Sequence, residues 1–209
     1  MRYEKKYEIN SGYINAVSSF LIVNLIKEIY QKREVNSFYY DNKDLNLFTE
    51  SKKGTKQRKK IRVRYYNQNH DELFLENKLK NDEINWKRYN SLNSKLNENI
   101  LPVRYLDKTN NIKDLYLPSI INNQFKPKLL ISYTRRYFNT LDKELRITLD
   151  YRISFRKVEK SSERILVGYP KKLEHSIIEL KFKRKYIPKY EVIEKLTNEF
   201  SLIDTRSSK

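Results

Sequence analysis

Between Arg58 and Tyr66 the chain reads R-K-K-I-R-V-R-Y-Y, an alternation of cationic and apolar side chains with a period of two. Successive strand residues point to opposite faces, so Arg58, Lys60, Arg62 and Arg64 share one face while Ile61, Val63 and Tyr65 share the other. The pattern recurs elsewhere. Glu76, Lys78 and Lys80 alternate with Leu75, Asn77 and Leu79, and Glu179, Lys181 and Lys183 alternate with Ile178, Leu180 and Phe182. Glu144, Arg146, Thr148 and Asp150 lie between Leu145, Ile147 and Leu149, and Arg2, Glu4 and Lys6 between Tyr3, Lys5 and Tyr7. Five predicted strands therefore carry a charged face, and carboxylates sit among the cations.

The remaining pattern supplies the frame. A strand over residues 2–9 leads to Ile14, Val17, Leu21, Leu25 and Ile29, whose spacing predicts a helix over residues 13–31 with Ser11 as its cap. A strand over 36–40, a turn over 41–44, an extended or short helical piece over 45–50 and a polar hairpin loop around Gly54 lead into the cationic strand. Ile84, Tyr89, Leu92 and Leu96 give an imperfect stripe that predicts a helix over 83–100, ended by Pro102, and a second helix is expected over about 112–122. Strands resume over 129–138 and 144–155 around a turn at 139–143, and a charged loop at 159–163 precedes the strand over 177–183. A helix after Pro188, with Val192, Leu196 and Phe200 inward, ends the chain. The expectation is an α+β protein of about eight strands and three or four helices. No internal repeat, heptad array or linker divides it, so residues 1–209 read as a single domain.

Charged strand faces turned to water would be ordinary surface. Turned inward, they would line a closed antiparallel β-barrel, an arrangement that makes sense only around an anionic guest. Composition favours such a guest, because 44 Lys plus Arg against 26 Asp plus Glu leave a formal charge of +18. Nucleic acid, an anionic membrane surface and free phosphate chains all meet that criterion, although no nucleic-acid-binding motif is present. The absence of cysteine excludes disulfides, thiolate metal sites and a cysteine nucleophile. With only three glycines the chain has neither G-x-x-x-x-G-K-[ST] nor G-x-G-x-x-G, so phosphate would be held by side chains. The longest apolar stretch, near Phe20 to Ile26, is too short to span a bilayer, and the start M-R-Y-E lacks a secretory signal, which together lead us to expect a cytoplasmic protein.

Arginine's planar fork matches phosphate oxygens, whereas lysine acts as a point charge. Glutamates among such cations suit a hard divalent ion that bridges phosphates. Phosphoryl transfer asks mainly for positioning and charge neutralisation, so a cation-lined site with one metal can supply much of the catalysis without a covalent protein nucleophile.

In order along the chain, R-Y-E-K-K-Y at Arg2, S-F-Y-Y-D-N-K-D-L-N-L-F at Ser37, K-I-R-V-R-Y-Y at Lys60, F-L-E-N-K at Phe74, Y-T-R-R-Y-F at Tyr133, L-R-I-T-L-D at Leu145, I-E-L-K at Ile178 and P-K-Y at Pro188 resemble the VTC domain, the polyphosphate polymerase branch of the triphosphate tunnel metalloenzymes. The resemblance implies a tunnel-forming barrel in which Arg62, Arg64, Arg135 and Arg146 act on the transferring phosphate. It also makes Lys6, Lys60, Lys78, Lys181 and Lys189 phosphate-binding. Glu179 resembles the family's metal-binding glutamate, and Glu4, Glu76 and Glu144 are further candidates, as metal ligands or as charge balance alongside Asp150. The implied cofactor is Mn2+ or Mg2+, and the implied partners are a nucleoside triphosphate, read as ATP, and polyphosphate, with no nucleic acid expected. Arg136, on the opposite strand face, is expected outside the tunnel, and Tyr39, Tyr40, Tyr65 and Tyr133 are expected mainly in packing.

Two departures bear on activity. Glu191 and Val192 follow P-K-Y where polymerase members carry a small hydroxyl residue and a further lysine, which removes one phosphate contact and leaves open a binding module without turnover. The hydrolase branch carries alternating N-terminal glutamates, whereas Glu4-Lys5-Lys6 offers one.

Overall fold

The structure, a computed structural model, describes residues 2–81, 84–93, 100–106, 112–118, 124–160, 165–183 and 190–205. The chain divides into two compact units. The first comprises Met1–Glu34, Tyr133–Ser154 and Lys172–Lys209, the second Val35–Ser132 and Phe155–Lys171.

Unit 1 contains β1 (Arg2–Asn10), α1 (Ile14–Val23), α3 (Tyr190–Glu199), β12 (His175–Lys183) and β13 (Ile203–Asp204), with parts of β2 (Lys27–Asp41), β8 (Lys126–Asn139) and β9 (Leu145–Lys160). Its strands run β13-β1-β12-β9-β8. The β1–β12 and β12–β9 pairs are antiparallel, with Lys6 opposite Glu179, Glu4 opposite Lys181, Thr148 opposite Glu179 and Arg146 opposite Lys181. The alternate residues of the same strands, Tyr7, Ile9, Leu145, Ile147, Leu149, Ile178, Leu180 and Phe182, form a core with Ile14, Val17 and Leu21 of α1 and Ile193 and Leu196 of α3. One face of each strand is therefore committed to packing, which fixes the register, since a one-residue slip would bury the charges.

The helix expected over 13–31 stops halfway. Asn24 closes α1 by donating its amide to the Phe20 carbonyl, and Leu25 takes a left-handed φ of 59°. Leu25, expected on the inner stripe, is 71% exposed, and the chain continues from Lys27 as strand β2.

Unit 2 pairs the rest of β2 with β3 (Gln57–Tyr66), β4 (Glu72–Asn81) and β5 (Ile84–Asn93) in that order, all antiparallel. β6 (Ile100–Leu106) pairs with β7 (Ile112–Pro118), and β10 (Ile165–Val167) joins β6 and β9. The helix α2 (Asn46–Lys53) is started by Asp41, whose carboxylate accepts from the Leu47 and Phe48 amides, and is ended by Gly54 at φ 70°. Phe38, Tyr40, Ile61, Val63, Tyr65, Leu73 and Leu130 make its core.

The helices expected over 83–100 and 112–122 are corrected: β5 aligns ten residues with β4, and β7 aligns seven with β6. Asparagines and aromatics in I-N-W-K-R-Y-N-S-L-N favour helix weakly, and the free edge of β4 supplies the hydrogen bonds that decide the matter. This, with β6 and the short β10, β11 (Lys171–Lys172) and β13, raises the expected eight or so strands to thirteen among the described residues. Among the described residues, the strand path from β13 to β5 has no pairing that joins its two ends. The architecture is a strand-rich antiparallel one with few helices.

Candidate functional site

In unit 1, four side chains of β1 and β12 form a ring of alternating charge. Lys6 lies 2.9 Å from Glu4 and 4.0 Å from Glu179, and Lys181 lies 2.7 Å from Glu179 and 3.7 Å from Glu4. Glu179 is nearly buried while Lys181 is half-buried, so the carboxylate is held in place and the ammonium retains access to solvent. On β9, Arg146 is exposed opposite Lys181, and the buried Thr148 faces Glu179. Asp150, fully buried, binds the Arg135 guanidinium through both oxygens. Glu144 sits outside this ring, in the turn before β9, where its amide donates to Asp142. Arg136 points the other way and forks onto Glu28, with a further bond to Ser18 of α1.

In unit 2, the strand register stacks cations in rows. Lys60 is opposite Lys78, and Lys78 is opposite Lys87, so three lysines lie side by side on β3, β4 and β5. Like charges directly opposite are unfavourable by up to ~1 kcal/mol each, and such a row is relieved by an anion. The next row supplies a carboxylate. Glu76, 2% exposed, accepts from Arg62 Nε at 2.9 Å and Nη2 at 2.6 Å, and lies 3.2 Å from Arg64 and 3.6 Å from Lys87. Arg62 also donates to the Tyr39 hydroxyl at 2.9 Å, and Arg64 donates to Ser37 at 3.0 Å. Burial alone would push the Glu76 carboxyl up, but the charges of Arg62 and Arg64, the Arg62 hydrogen bond and the Lys87 charge hold it below the ordinary carboxylate range.

The structure thus brings Lys6, Lys181, Glu4 and Glu179 together in one unit, with Arg135 and Arg146 on neighbouring strands, and Arg62, Arg64, Lys60, Lys78 and Glu76 together in the other. Lys189 lies outside the described residues. Lys87 was missed because residues 83–100 read as helix. The pairings of Asp150 with Arg135, and of Ser37 and Tyr39 with the arginines, depend on strand neighbours that no single segment reveals.

Among the described residues, no three His, Asp or Glu side chains converge closely enough to hold a metal by themselves. Glu4, Glu179 and the Thr148 hydroxyl, which has no hydrogen-bond partner among the described residues, offer hard oxygen donors on adjacent strands. That fits Mg2+ or Mn2+, since magnesium is commonly held by one or two carboxylates with water and substrate phosphates completing its shell. Glu76, already held by three cations, is in the setting of a charge-balancing carboxylate.

The VTC domain family profile matches residues 1–209. The chain belongs to the VTC domain family. Solved structures similar to this VTC domain include a putative adenylate cyclase from Bacillus halodurans, 13% identical, covering 100% of this chain and 94% of that one with a TM-score of 0.57. A putative adenylyl cyclase from Hippeastrum, described as having a dominant triphosphatase activity, is 12% identical over 100% and 93% of the two chains with a TM-score of 0.54. A putative adenylate cyclase from Vibrio parahaemolyticus is 12% identical over 99% and 94%, with a TM-score of 0.52. Curated proteins gave no match. The fold is the one these three solved structures share.

Proposed function

We propose that this VTC domain is a metal-dependent polyphosphate polymerase that transfers the terminal phosphate of a nucleoside triphosphate, ATP in the simplest reading, to a growing polyphosphate chain. The observation that carries the reading is the registered lysine row Lys60, Lys78 and Lys87 beside the Arg62–Glu76–Arg64 group, a cationic strand face in a chain of the VTC family. The proposal includes closure of the strands into a tunnel, residues 1–209 acting as one domain, and a cytoplasmic setting. Among the described residues, no helix is long and apolar enough to cross a membrane.

Arg62, Arg64, Arg135 and Arg146 are assigned to the transferring phosphate, and Lys6, Lys60, Lys78, Lys181 and Lys189 to the chain. Glu179 and Glu4 would hold Mn2+ or Mg2+, and Glu76 and Glu144 balance charge. When bound, the metal neutralises phosphate oxygens and orients them. The protein's part is exchange of partners. Arg62, 27% exposed, and Lys181, 40% exposed, turn from carboxylate to phosphate oxygens while their glutamates keep them aligned. An oxygen of the chain's terminal phosphate attacks the donor's γ-phosphorus, the bond to the β–γ bridging oxygen breaks, and ADP leaves with the displaced electron pair. Fixed guanidinium and ammonium groups at developing charge are the main source of acceleration in such transfers.

Incubation with ATP and manganese is expected to give ADP and a long phosphate chain. Orthophosphate as the sole phosphate product would replace the proposal with hydrolysis. A second reading, polyphosphate binding without turnover, is favoured by one observation. Glu191 is an exposed residue paired with Lys195 at 2.7 Å, and Val192 packs against the unit 1 core, so neither replaces the missing phosphate contact. That reading predicts polyphosphate binding with no ADP release.

A further inference from the structure

Unit 1 contains a run of alternating rings and guanidinium groups of which the phosphate chemistry uses only Arg135. Arg135 lies 5.2 Å from the Tyr133 ring centre and 5.9 Å from that of Tyr137. Arg33 on β2 lies 5.2 Å from the Tyr137 ring and 5.7 Å from the Tyr30 ring, and Tyr30 meets Tyr137 edge to face at 5.7 Å and 87°. Tyr137 is the shared member, touched by the candidate phosphate-binding Arg135 and by Arg33.

Accessibility rises along this run. Tyr133 is 4% exposed, Tyr137 and Arg33 are partly buried, and Tyr30 is 50% exposed. A stack that served only to hold β2 against β8 would gain most from burial of its rings, since desolvation strengthens cation–π contacts. Here the outer end leaves half of a tyrosine in solvent. The geometry also has a useful length. Arg135 to Tyr137 is two strand residues, about 6.6 Å, and Tyr30 lies a ring contact further on, the order of separation between the phosphates and the base of an extended nucleotide. Aromatic rings and guanidinium planes are the groups that stack on nucleobases.

We propose that Tyr30, Arg33 and Tyr137 form the nucleobase subsite for the triphosphate donor, an inference that rests on the triphosphate reading of the Arg135 side of unit 1. Stacking tolerates any base, so the subsite separates nucleotides from inorganic phosphate chains and discriminates only weakly between ATP and GTP.

The test measures binding of β,γ-imido ATP and of inorganic tripolyphosphate, with manganese, to the whole chain by calorimetry. The double variant Tyr30→Ala, Tyr137→Leu is expected to bind the imido nucleotide about tenfold more weakly, which is ~1.4 kcal/mol and within the range for one stacked base. Its tripolyphosphate affinity stays within about twofold of wild type, which also reports that the variant is folded. Tyr137→Phe, which keeps the ring, retains nucleotide affinity. Equal losses for both ligands, no loss for either, or wild-type binding of tripolyphosphate as tight as that of the nucleotide would overturn the subsite. Wild-type protein that binds neither ligand would instead overturn the triphosphate reading beneath it.

Discussion

Glu76→Gln isolates what the charged strand face does. The substitution keeps the size of the side chain and removes the negative charge that Arg62, Arg64 and Lys87 surround at 2.6, 3.2 and 3.6 Å. Removing one member of a fully buried pair costs ~3–5 kcal/mol, because the other charge is left uncompensated. Here the side chains of Glu76 and Arg64 are 3% and 8% exposed, so that pair approaches the buried limit. Arg62 at 27% and Lys87 at 55% can turn to water and add little. The expected loss is therefore at the lower end, about 3 kcal/mol.

An anionic guest reverses it. Tripolyphosphate can neutralise the same arginines, and a ligand at 100 times its Kd stabilises the folded state by ~2.7 kcal/mol. Because the Gln variant has lost the competing carboxylate, its gain is expected to exceed that of wild type. Urea unfolding of both proteins, with and without tripolyphosphate, checks this. A loss below about 1 kcal/mol, or a gap that tripolyphosphate leaves unchanged, would refute the argument that Glu76 stands in for phosphate.

The same carboxylate has a pH signature. Its folded pKa is depressed, so its contribution is present above the unfolded value, about 4.3, and is lost as pH falls through the folded value. Wild-type stability should drop there more steeply than that of Glu76→Gln in acid unfolding curves. Glu179→Gln is expected to abolish manganese-dependent ADP release while leaving tripolyphosphate binding within about threefold, measured by coupled assay and calorimetry. Leu149→Ala, at a fully buried position of the unit 1 core, should cost ~2–5 kcal/mol in urea unfolding. Arg136→Met should lower stability through loss of its Glu28 and Ser18 bonds without changing tripolyphosphate affinity, because that side chain points away from the Arg135 face.

Which residues share a strand face was legible in the chain, since the alternation of a strand is a local property. Arg62 with Arg64, Glu179 with Lys181, and the apolar sets Ile61, Val63 and Ile178, Leu180 all lie where the period of two puts them. The ordered motifs likewise carried the family. Helical spacing was decisive only where packing agreed with it. Ile14, Val17 and Leu21 are buried in α1, but the same stripe continued to Leu25 and Ile29, which the structure places beyond the helix end.

Tertiary structure decided the partners. The strand nature of residues 84–93 comes from ten aligned positions on β4, and with it comes Lys87 beside Lys78 and Glu76. Glu4 meets Lys181, and Asp150 meets Arg135, across distances in the sequence that no local pattern measures. The physical reason is that a strand's hydrogen-bonding edge is completed by another segment. The sequence by itself determined what each face offers, and only the register between strands decided which charges stand together.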